Sequence, residues 1–176
     1  MTPEAIKLKD NTTLEIYQDL SPDDPRNWDN LAKFYFYHKR LNLGDKHEMT
    51  PEDIAEARIE GDVIKKVYAY TKRGVTLSLT PFSCPFDSGL LGYAVVWAHD
   101  IIEEYGELTE ETREKALKVL EGELEVYNQY LNGETYGYIL KDSEDNELDS
   151  CWGFYGHDPK VNGIYEAIGI KEDDVA

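Results

Sequence analysis

The stretch from Thr109 to Leu131 constrains this chain most. Leu117, Leu120, Leu124, Tyr127 and Leu131 recur at three- and four-residue steps, the spacing that lines up one face of an α-helix. Glu110 and Glu111 lie in its first turn, and Asn132-Gly133 supplies the stop. A helix of this length with an apolar face must cover something, and the rest of the chain offers strands. Val63–Thr71 and Val75–Pro81 flank the turn Lys72-Arg73-Gly74, Leu90–Trp97 reads as a third strand, and Thr135–Gly156 reads as a second hairpin. The expectation is an α+β fold, a single domain over residues 1–176 with a mostly antiparallel sheet packed against the helix at about 109–131 and shorter helices.

The remaining segments fit that frame. Leu14–Tyr17 reads as a short strand and Leu31–Arg40 as another, while Ser21–Asn30, with two prolines and several Asx residues, reads as an ordered loop anchored by Trp28. Thr50-Pro51-Glu52-Asp53 carries the signature of a helix start, and that helix is predicted to end near Glu60. Asp100–Tyr105 reads as a short helix stopped at Gly106, and Ile164–Ile168 as one more helical turn before a short acidic tail.

Charge narrows the function classes. The chain carries 36 acidic and 18 basic residues, a formal net charge of −18. Such a field repels nucleic acid and anionic membranes and attracts basic surfaces or cations, so direct, metal-free binding to a phosphate backbone is disfavoured. On the long helix, Glu110, Glu111, Glu114, Glu121 and Glu125 fall outside the apolar face, offset in part by Arg113, Lys115 and Lys118. No apolar run has the length of a membrane span and the N-terminus lacks the order of a signal peptide, which predicts a cytoplasmic protein.

The residues that could do chemistry are few. Cys84 lies in Ser83-Cys84-Pro85-Phe86-Asp87-Ser88-Gly89 and Cys151 in Asp149-Ser150-Cys151-Trp152-Gly153-Phe154-Tyr155-Gly156. A nucleophilic thiol needs a base or a positive field; His38, His47, His99 and His157 are the imidazoles available, with His157 able to fold back towards Cys151 through the Gly156 turn and Asp87 and Asp149 as the local acids. The stronger expectation is that both thiols are buried among Pro, Phe and Trp. Zinc ligation by the two cysteines with histidines lacks the usual spacing, and Asp142–Glu147 lacks the central glycine and distal glutamate of a calcium loop. Asp29, Asp45, Asp87 and Asp149 all sit in turns, where an aspartate is more often a cap than a catalyst. No phosphate-binding glycine loop or nucleophile elbow is present, so no motif calls for a cofactor or a metal.

Four segments, Pro25-Arg26-Asn27-Trp28-Asp29-Asn30-Leu31, Asn42-Leu43-Gly44-Asp45, Pro81–Gly89 and Asp149–Gly156, together resemble a family of short acidic proteins encoded by phages and other prokaryotic mobile elements, whose function is uncharacterised. Phe86 stands where relatives often carry Trp. The resemblance implies an accessory task and carries over no catalytic residue; it also allows the motifs to be a structural signature, with Trp28, Cys84 and Cys151 meeting in one core. The leading expectation is therefore a non-enzymatic protein that binds a host protein with a basic surface, such as a nucleic-acid-binding enzyme, as an anti-defence inhibitor or an acidic nucleic-acid mimic. The alternatives are a small enzyme built on Cys84, Cys151, His157, Asp87 and Asp149, and a structural or virion-associated component.

Overall fold

Antiparallel pairing organises the chain in a computed structural model that describes residues 2–176. The strands are β1 (Glu4–Lys7), β2 (Thr13–Gln18), β3 (Lys33–Phe36), β4 (Val63–Tyr70), β5 (Thr76–Ser78), β6 (Ser88–Val96), β7 (Thr135–Lys141) and β8 (Glu147–Tyr155). The helices are α1 (Pro51–Ala57), α2 (Ala98–Tyr105), α3 (Glu110–Leu131) and α4 (Ile164–Ala167). The α+β class expected from the sequence is present, with α3 the longest helix. One sheet was expected, however, and two four-stranded sheets are found, ordered β1-β2-β7-β8 and β3-β6-β4-β5. The chain falls into two compact units: the segment through Asp24 with Gln129–Ala176, and Pro25–Asn128.

In the first unit, Leu14, Ile16 and Tyr138 from the sheet meet Ile164 and Tyr165 in a buried cluster, with Phe154 and Ile168 packed against it. The aromatic run at the end of β8 is explained by a bulge. Gly153, at φ 88°, is an extra residue between the pairs Tyr136↔Phe154 and Gly137↔Trp152. Strand side chains alternate faces, so without that insertion Trp152 and Phe154 would share one. With it, Phe154 turns to the core beside Tyr138, ring centroids 5.7 Å apart, and Trp152 lies across Gly137 on the other face. A Cβ on Gly137 would stand 2.2 Å from the indole. The hairpin turn satisfies itself: Asp142 Oδ1 accepts from the amides of Glu144 and Asn146 at 2.8 and 2.9 Å. The acidic tail folds back instead of trailing away, with Val175 bridging Leu8 and the Lys9 amide donating to Asp174 at 2.9 Å.

In the second unit, α1 starts at Pro51 as expected, with Thr50 and Asp53 forming a capping box, but ends at Ala57 instead of near Glu60; α2 ends on left-handed Gly106. Buried Asp62 accepts from the Ala98 amide at the start of α2 and from the Ile59 amide, both at 2.7 Å. Helix α3 presents Thr112, Ala116, Leu120, Leu124 and Tyr127 inward, while Leu117 is half-buried. Tyr127 reaches Phe34, centroids 6.0 Å apart, and its hydroxyl accepts from the Gly44 amide at 2.8 Å. Asn128 bonds both the N–H and the C=O of Leu77, at 2.7 and 2.8 Å, closing the free edge of β5.

Gly92 leaves no room for a side chain against β3: a Cβ there would stand 2.1 Å from the Tyr35 carbonyl oxygen, whereas at Gly89 it would meet nothing within 4 Å. Gly92→Ala is expected to lower unfolding free energy by about 1–3 kcal/mol, the range for overpacking a tight site. Gly89→Ala should change it by less than about 0.5 kcal/mol. Urea denaturation followed by tryptophan fluorescence compares the two.

Candidate functional site

The Pro25–Asn27 turn places Arg26 in the interior of the second unit, its side chain 3% exposed. Its guanidinium meets Asp45 twice, Nε to Oδ1 at 2.9 Å and Nη2 to Oδ2 at 2.8 Å, donates from Nη2 to the Ala32 carbonyl at 2.8 Å, and donates from Nη1 to Glu123 at 3.2 Å. Its flat face lies 3.7 Å from the centroid of Phe34. Both acids are further satisfied by backbone: Asp45 accepts from the Phe34 amide at 2.7 Å, and Glu123 from Leu31 at 3.1 Å and Ala32 at 3.3 Å. Arg26, and not the expected Trp28, therefore anchors the 21–30 loop; Trp28 is 46% exposed.

This cluster fixes one wall of a cleft of about 630 Å³. Asp29 and Leu31 come from the anchored loop, Asp100, Glu103, Glu104 and Tyr105 from α2, and Val119 and Glu123 from α3. Five carboxylates thus face the opening, against Lys33. Burial outweighs the Arg26 charge and the backbone amides and holds the Glu123 carboxyl above its ordinary value of 4.5. Sequence reasoning missed Asp100, Glu103, Glu104 and Glu123. Glu123 had a signal: it falls three residues after Leu120 and four before Tyr127, inside the apolar stripe, where an unpaired acid is rare.

The residues singled out from sequence are placed differently. Glu110, Glu111, Glu114, Glu121 and Glu125 are all exposed on α3. Lys115 pairs with Glu111 at 3.3 Å, and Arg58, Lys65 and Arg113 share a hollow with Glu110 and Glu114, so the N-terminal half of that stripe is partly neutralised. Neither thiol is a core residue: Cys84 is half-buried and Cys151 is exposed, in different units. The expected meeting of Trp28, Cys84 and Cys151 in one core is therefore not found. Cys84 sits on the loop before β6 and Cys151 on β8, the edge strand of its sheet, which leaves its side chain open to solvent.

The Cys84 thiol donates to Asp87 at 3.7 Å, and Asp87 also lies 3.8 Å from Lys72. Cys151 donates to the Trp152 carbonyl at 3.7 Å. Among the described residues no histidine, His157 included, is bonded to either sulfur. Asp149 is occupied structurally, accepting from the buried Tyr138 hydroxyl at 2.7 Å and from the Ser150 amide at 2.9 Å. Burial and that bond push the Tyr138 hydroxyl well above its ordinary value. Among the described residues no three His, Cys, Asp or Glu side chains are grouped to hold a metal ion, and no helix is long and apolar enough to cross a membrane.

Two outcomes test the cluster. Arg26→Ala leaves two shielded carboxylates without their cation and should cost about 3–5 kcal/mol of stability. Glu123 has the opposite linkage from a typical paired acid. Because its folded pKa is raised, its contribution is complete below 4.5 and is lost as pH rises through the raised value. Glu123→Gln should therefore gain on the wild type in urea denaturation as pH increases from the unfolded value upward; a constant difference between them would refute the assignment. Comparison of the chain with protein-family models, with curated proteins and with solved structures finds no match.

Proposed function

We propose that this protein is a non-enzymatic binder of a basic protein surface, with the cleft between the 29–31 loop, α2 and α3 as the seat of the interaction. The observation that carries the reading is the convergence of Asp29, Asp100, Glu103, Glu104 and Glu123 on one opening beside Lys33. Carboxylates gathered on one opening set a negative local potential, which a cationic partner complements. The apolar atoms of Leu31, Tyr105 and Val119 at the same opening suit the aliphatic stem of an inserted Arg or Lys.

The resemblance to mobile-element proteins makes a host protein the natural partner, and a nucleic-acid-binding enzyme the natural class. Its basic groove accepts carboxylates in place of phosphates, which lie about 1.7 Å apart along the duplex axis when both strands are counted. Glu121 and Glu125, two positions on from Val119 and Glu123, stand on the other side of α3 and lie outside this contact.

Pull-down from prokaryotic host lysate at low and high salt checks this, comparing the wild type with Asp100→Asn/Glu103→Gln/Glu104→Gln and with Glu52→Gln/Glu56→Gln/Glu60→Gln. The two variants remove equal charge at different places. The expected result is a nucleic-acid-binding protein retained at low salt by the wild type and the α1-side variant, with affinity reduced at least about tenfold, or 1.4 kcal/mol, by the cleft variant. Equal retention by all three would overturn the proposal.

A further inference from the structure

We propose that the opposite-charged end of the second unit, formed by residues 37–43, 71–75 and 79–90, is a second docking site that takes an acidic protein segment bearing one apolar anchor side chain.

Antiparallel pairing brings these three stretches to one end of the β3-β6-β4-β5 sheet. Tyr70 at the end of β4 pairs with Ser88 at the start of β6, and Phe36 at the end of β3 pairs with Gly92. The Thr71 amide donates to Asp87 and the Tyr37 amide to Leu91, at 2.9 and 2.8 Å. In a chain of 36 acids and 18 bases, these stretches hold Lys39, Arg40, Lys72 and Arg73 against one acid, Asp87. All four cations are exposed, and Asp87 is turned toward Lys72 and the Cys84 thiol. His38 Nδ1 accepts from the Arg40 and Leu41 amides at 3.1 and 2.9 Å, which fixes the turn that carries Lys39 and Arg40.

Apolar surface accompanies the charge. Phe86 is 95% exposed, and Leu90, Leu41 and Tyr37 are 50%, 41% and 38% exposed. Tyr37, Phe86, Leu90 and Leu91 line a hollow of about 250 Å³ whose one charged lining side chain, Asp87, is paired with Lys72 at 3.8 Å; the volume is below the roughly 300–1,000 Å³ of small-molecule pockets and so matched to a single side chain.

Charge complementarity selects an anionic occupant, and size selects among anionic occupants. A membrane or a nucleic acid spreads its charge over an area that would meet the many carboxylates elsewhere on the chain. A short segment seated in the hollow feels charges mainly within the screening length of about 8 Å at physiological ionic strength; Lys39, Arg40, Lys72 and Arg73 follow the lining residues His38 and Thr71 in the chain and outnumber Asp87 and the two acids that act on Tyr37, Glu52 and Asp53.

The test is selection of a displayed random-peptide library on the full-length protein, followed by titration of a synthetic copy of an enriched acidic peptide. The proposal expects enrichment of peptides with an aromatic or aliphatic residue between acids. Their Kd should rise at least about tenfold in Lys72→Glu/Arg73→Glu and in Phe86→Ala, and stay unchanged in Lys115→Glu/Lys118→Glu, with identical circular dichroism throughout. It is overturned if no acidic peptides are enriched, or if their binding ignores the Lys72/Arg73 and Phe86 changes. It is equally overturned if phosphatidylserine vesicles or single-stranded DNA bind this end in their place. Basic peptides captured at the acidic cleft would be insensitive to these substitutions and would leave the outcome here unaffected.

Discussion

A guanidinium almost wholly removed from water, Arg26, holds together three parts of the second unit that are remote in sequence: its own turn, Asp45 after β3, and Glu123 on α3. Desolvating such an ion costs several kcal/mol unless its donors are all used. Here the side chain donates to two carboxylates and a carbonyl and stacks on Phe34. The bidentate geometry to Asp45 and the planar stacking are available to arginine and not to lysine. The second carboxylate would leave the cluster with an uncompensated charge, and the Leu31 and Ala32 amides meet it. The same bonds set the position of Asp29 and Leu31, so the rim of the acidic cleft depends on the buried ion.

The C-terminal aromatic motif has a comparable logic in the first unit, with backbone geometry in place of charge. Gly153 makes the bulge, Gly137 leaves room for the indole, and Asp149 takes the hydroxyl of a buried tyrosine. Each residue of Asp149-Ser150-Cys151-Trp152-Gly153-Phe154 that looked chemically suggestive in sequence, apart from the exposed cysteine itself, has a partner within the sheet. A motif rich in polar and aromatic residues can thus be a specification of strand register.

Local rules made most of the secondary structure legible. The helix start at Thr50-Pro51, the glycine stop at Gly106, the α3 periodicity and the β7–β8 hairpin all follow from signals within a few residues, and all are present. What could not be read was the assignment of strands to sheets. The pairing of β2 with β7 joins residues more than a hundred positions apart, and nothing in either strand names its neighbour. The cleft failed for the same reason: Asp29, Asp100 and Glu123 lie in separate elements, each unremarkable in its own segment. Burial of the thiols was expected from residue type, but it is decided by where each lies, Cys84 in a loop and Cys151 on an edge strand, which only the topology supplies.

The net charge of the chain misled in one respect. A total of −18 suggests a uniformly acidic exterior, yet the sheet end bearing Lys39, Arg40, Lys72 and Arg73 has the opposite sign, and the Glu110 and Glu114 region of α3 is offset by Arg58, Lys65 and Arg113. Screening at physiological salt reduces charges beyond about 8 Å to background, so a partner responds to the carboxylates and cations it touches and only weakly to the sum. Concentrating acids at one opening and bases at another requires each cluster to be held against its own repulsion. In the second unit the acidic cluster is held by covalent and hydrogen-bonded attachment to rigid elements: α2, α3 and the loop locked by Arg26. For a cationic partner of the kind proposed, that backbone placement would lower the ordering cost of binding.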